Sequence, residues 1–128
     1  MRTFIVLVAS FLYLAISGAA HAHGDDKPKQ GGIMGRGDDS VSVELVMKDG
    51  VITLFVEEHA NDVPIPTDLV KGWLNLSGPG RPAEEVKLVP AGDNKLTATG
   101  LKPRVGDRLR ARMVLPSGEE VSSLFSFR

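Results

Sequence analysis

From residue 41 onward, apolar and polar side chains alternate in short runs, and each run is cut by glycine, proline or an acidic turn residue. Period-two alternation puts successive side chains on opposite faces of a strand, which commits the chain to β structure. No stretch after residue 41 carries the 3.6-residue apolar period of an amphipathic helix.

The first run is 41–48, with Val41, Val43, Leu45 and Met47 on one face and Ser42, Glu44 and Lys48 on the other. Asp49-Gly50 follows, a pair that tolerates positive φ at both positions and so favours a tight hairpin. The return strand, 51–58, is apolar on both faces, which suits a central position. Residues 59–68 contain Pro64 and Pro66 and read as a loop or an edge crossing. Further strands are predicted at 69–77, 84–89, 95–99, 108–115 and 121–127, with turn clusters at 78–82, 90–94 and 116–118. Seven short strands with regular turns predict an all-β domain, an immunoglobulin-like two-sheet β-sandwich. A small Greek-key barrel is the alternative.

The chain before residue 41 is of another kind. Arg2 precedes an apolar stretch of 13 residues, 4–16, and then the small-residue run Ser17-Gly18-Ala19-Ala20-His21-Ala22. This is the layout of a secretory signal peptide, and the apolar stretch is short of the ~20 residues of a membrane span. Cleavage after Ala22 predicts a mature start at His23, with cleavage after Ala20 as the second choice. The expected product is periplasmic or secreted, with no membrane span after cleavage. Residues 23–40 are rich in Gly and Asp, with only Ile33 and Met34 apolar, and predict a flexible arm ahead of a domain at 41–128.

Composition limits the chemistry. Lys and Arg total 15 against 16 Asp and Glu, a balance without the basic excess of a nucleic-acid binder. Cys is absent, which excludes a disulfide framework, thiolate metal sites and a cysteine nucleophile. No G-x-S-x-G, H-E-x-x-H or phosphate-loop motif occurs, so no enzyme is predicted.

Any metal must then sit on nitrogen, oxygen or thioether. A mature start at His23 chelates through its α-amine and ring nitrogen. A start at His21 places His23 third, where it binds Cu(II) or Ni(II) together with the amine and backbone amides. Asp25 and Asp26 add oxygen ligands, and His59, after Glu57 and Glu58, is a further donor at a strand end. The ions considered are Cu, Ni and Zn, and the competing reading is a solvated polar arm with no ligand. Arg108, Arg110 and Arg112 form a stripe on one face of a strand. That stripe either meets an acidic partner or is a solvated sheet face with glutamates opposite.

The runs Val43-Glu44-Leu45-Val46-Met47-Lys48-Asp49-Gly50, Val63-Pro64-Ile65-Pro66, Gly72-Trp73-Leu74-Asn75-Leu76 and Leu88-Val89-Pro90-Ala91-Gly92-Asp93-Asn94 carry a family likeness. Together they resemble small bacterial periplasmic proteins related to the N-terminal β-sandwich of periplasmic adaptor (membrane-fusion) subunits of heavy-metal RND efflux pumps. The resemblance spans about residues 41–128. It implies an accessory module that assists metal efflux or resistance, with envelope or efflux proteins as partners. The hairpin and lipoyl-like segments that let a full adaptor bridge its pump are not found here.

Overall fold

The computed structural model describes residues 27–37 and 39–128. The predicted signal segment, and the candidate ligands His21, His23, Asp25 and Asp26, lie outside the described residues. The described part is all-β, with no helix and eight strands: β1 Ile33–Met34, β2 Val41–Lys48, β3 Val51–Glu58, β4 Lys71–Gly78, β5 Arg81–Pro90, β6 Lys95–Thr99, β7 Arg108–Val114 and β8 Glu120–Ser126.

The strand count corrects the sequence expectation of seven. The additional strand is Ile33–Met34, which pairs with β2 through Ile33↔Leu45 and Met34↔Glu44. Two residues are too few to show a period, so alternation has no purchase there. Of the sandwich expectation, the all-β, antiparallel part holds. All eight strands form one antiparallel hydrogen-bonded sheet in the order β1-β2-β3-β6-β5-β4-β7-β8. The ten-residue β5 makes this continuity. It pairs with β4 from Arg81 to Leu88 and passes to β6 through Val89↔Thr97 and Pro90↔Leu96. The other end is closed by an antiparallel bridge between Arg36 and Leu124, with N–H to O distances of 3.0 and 2.8 Å. The result is nearly a barrel, with the segment 33–36 as the seam between β2 and β8.

Alternation builds the interior. Val43, Leu45, Leu54, Leu74, Leu96, Leu109 and Phe125 are all buried, and Ile65, Val86, Leu115 and Phe127 pack against their cluster. Asp49 and Gly50 both take positive φ, 52° and 80°, and make the predicted β2–β3 turn. Met47 departs from its predicted inward phase and is 45% exposed, although its cross-strand partner Ile52 is buried; the β1 pairing stops at Leu45 and does not reach it. The predicted turn at 78–82 shrinks to Pro79-Gly80, and β5 takes in Pro82. Proline is tolerated there because β5 pairs with β6 only at its far end, so the missing N–H breaks no ladder on that side.

Gly35 is required by the seam. A side chain at this position would run into Ser123 Oγ and the Phe125 ring. Its backbone therefore lies where a side chain would otherwise fill the gap between β2 and β8.

Candidate functional site

The outer face of β4, β7 and β8 carries the predicted arginine stripe. Leu109, Ala111 and Met113 are buried, so Arg108, Arg110 and Arg112 stand outward and exposed. Antiparallel register decides what faces them. Toward β4 they meet Ser77, Asn75 and Trp73, and toward β8 they meet Ser126, Leu124 and Ser122. None of these six is acidic, so the glutamates considered opposite the stripe are not its cross-strand neighbours. Glu85 lies one strand further, on β5, where it accepts a hydrogen bond from Asn75 at 2.8 Å and sits 3.5 Å from Arg112. Among the described residues, no acidic side chain pairs with Arg108 or Arg110.

Two more arginines join this face. Arg36 is exposed and lies opposite Leu124, so the row Asn75, Arg110, Leu124, Arg36 crosses three strands and the seam. Arg128 is exposed just past β8 and lines a hollow of about 150 Å³ with Arg36, Leu124, Ser126, Ile33 and Met34. Sequence reasoning missed both. Arg128 continues the outward phase of Ser122, Leu124 and Ser126, so that signal was present. Arg36 sits in a segment without alternation and carried no such signal. Trp73 also belongs here: the Arg112 guanidinium lies 5.7 Å from its ring centroid, a cation–π contact that fixes the end of the stripe.

A second polar cluster lies on the outer face of β2. Glu44, expected in solvent by alternation, is only 5% exposed. Its carboxylate accepts the backbone N–H groups of Lys29, Gln30 and Gly32 at 2.8–3.0 Å, so it pins residues 29–32 across the sheet. Lys29 donates in turn to Glu57 at 2.9 Å, and this bond raises the lysine pKa above its ordinary value. Beside it, Ser42 Oγ and His59 Nδ1 are 2.8 Å apart. His59 lines a hollow of about 390 Å³ with Arg36, Asp39 and Ser42, and Ser42 also lines one of about 210 Å³ with Lys27 and Glu57. Among the described residues, no three His, Cys, Asp or Glu side chains converge as a metal site.

A third cluster is a structural clip. Arg81 donates to Asp107 Oδ2 at 2.6 Å, to Glu84 at 2.8 Å and to the Lys102 carbonyl at 3.2 Å. Asp107 is 2% exposed and also accepts the Arg104 backbone N–H at 2.8 Å. That amide, then the Arg81 guanidinium, hold its carboxyl below the usual carboxylate range. The bond to Glu84 raises Arg81 further. With every partner supplied from within, this clip ties the β4–β5 turn to the loop before β7.

Among the described residues, no helix is long and apolar enough to cross a membrane. No protein family and no curated protein matches the chain. The crystal structure of a Br derivative of BhCBM56 is similar at a TM-score of 0.43 and 10% identity, over 74% of this chain and 99% of that one.

Proposed function

We propose that this chain is an exported, non-enzymatic binding module of the cell envelope, periplasmic or secreted, that holds an acidic partner on the outer face of β7 and β8. The observation that supports this reading is the run of Arg108, Arg110 and Arg112 on one face with Arg36 and Arg128, with no acid among the cross-strand neighbours of the three on β7. Arginine suits such a face because its planar fork grips carboxylates two bonds at a time. The near-neutral whole chain makes the patch a local field rather than a general stickiness. In the same reading the closed sheet is a flattened barrel, whose two halves face each other as in an immunoglobulin-like sandwich.

Chromatography on immobilised polyglutamate tests it. Wild type is retained at low salt, and the triple variant Arg108→Ser, Arg110→Ser, Arg112→Ser is not. A control triple at Lys48, Lys95 and Lys102 removes the same charge elsewhere and leaves retention in place. Equal loss in both triples sinks the reading.

A second reading assigns the module a transition metal, Cu, Ni or Zn, and a role beside a metal-efflux system. It is favoured by one feature: Lys27 shares a hollow with Ser42, whose hydroxyl meets His59. His23 is four residues before Lys27, a reach of about 14 Å when extended. Intact mass fixes the mature start, and calorimetry with each ion then compares the protein with its His59→Ala variant. Unchanged affinity in the variant removes His59 from the site.

A further inference from the structure

Past Glu120, the outward side chains of β8 are small or neutral, with three arginines on one side of it and Arg36 on the other. Ser122, Leu124 and Ser126 form the floor. Arg112, Arg110 and Arg108 stand opposite them on β7, Arg36 faces Leu124 from the other side, and Arg128 follows two residues past Ser126 at the strand's end. Neighbouring strands lie about 4.8 Å apart, so the β7 arginines and Arg36 are separated by roughly 10 Å at the backbone. The face is therefore a shallow trough as wide as one extended chain, with a cationic wall along β7 and Arg36 across from its middle.

The spacing along the trough narrows the choice of occupant. Arg108, Arg110 and Arg112 alternate in one strand, so their stems repeat every ~6.8 Å. A second extended polypeptide with an acidic residue at every other position repeats at the same distance, in step with the comb. Its carboxylates would reach the β7 guanidinium groups, and its intervening side chains would rest near Leu124 or turn to solvent. The trough has a polarity as well: exposed Glu120 lies at one end and Arg128 at the other.

We propose that the partner is an extended acidic peptide segment, with carboxylates at alternate positions, lying along β8 between the Arg108/Arg110/Arg112 comb and Arg36. This rests on the acidic-partner reading above and specifies its ligand.

The test uses the mature protein and two synthetic peptides of the same composition, an alternating Glu-Ser twelve-mer and a paired twelve-mer repeating Glu-Glu-Ser-Ser, whose carboxylates on either side of an extended chain recur only at every fourth residue. Fluorescence anisotropy at fixed low salt measures both, with heparin and phosphatidylglycerol vesicles as further probes. The expected result is alternating-peptide binding about tenfold tighter than paired-peptide binding, weakened severalfold by Arg110→Ser and by Arg36→Ser. Both variants change exposed side chains, and a thermal scan checks that they fold. Equal binding of the two peptides overturns the trough while leaving the acidic face standing. Tighter binding of heparin or vesicles than of the alternating peptide overturns the peptide as ligand. No binding of any anion overturns both.

Discussion

Glu44 shows how one carboxylate can organise a segment with little apolar surface of its own. Three backbone N–H groups converge on it, and charge-assisted bonds of this kind contribute about 1.5–3 kcal/mol each when buried. Glu44→Ala should therefore free residues 29–32, and limited trypsin digestion should cut after Lys29 and Arg36 far faster than in wild type. An unchanged digestion pattern would show that β1 pairing alone holds the segment. Asp107 gives a prediction in pH. Its folded-state pKa lies below the unfolded value of about 3.9, so its contribution is fully present above that value and is lost as pH falls through the folded one. Asp107→Asn should lower the Tm at pH 7, and the gap to wild type should close toward pH 2. A gap that stays constant with pH would mean that packing, rather than charge, is what the substitution removes. Lys29 has the opposite sign: its raised pKa adds stability below the ordinary lysine range that is lost at still higher pH. That side chain is 40% exposed, so the effect is small.

At the scale of elements, alternation located most of the fold. Strands β2, β3, β6 and β7 lie where the period-two runs predicted, because each has one face on the core and the pattern records that burial directly. It failed where burial comes from outside the sheet. Glu44 reads as solvent-facing and is covered by residues 29–32, a contact made across twelve or more positions that no local pattern encodes. The arginine comb was legible for the same reason as the strand beneath it, but its neutral neighbours depend on the order β4-β7-β8, which sequence alone did not supply. The seam is the least legible element and the most exacting. Gly35→Ala should lower stability sharply, since its methyl would displace Ser123 and Phe125. Phe125→Ala should cost about 3–5 kcal/mol, as for a large buried aromatic, measured by urea unfolding. A loss under 1 kcal/mol at Gly35 would mean that the seam opens without consequence for the core.

For the molecule as a whole, closure depends on one short segment. Without residues 33–36, β2 and β8 become open edges, each with unpaired backbone groups. A chain beginning at Ser40 should therefore self-associate, and light scattering of that truncation against wild type checks it. A truncation that stays monomeric would mean that β2 and β8 draw together unaided. The seam also joins residues 88 positions apart in sequence, since Arg36 bonds Leu124. Residue 36 leaves the ribosome long before its partner. Until Leu124 has been made and released, the last bridge has nothing to bond, so the strands before it wait in an open sheet.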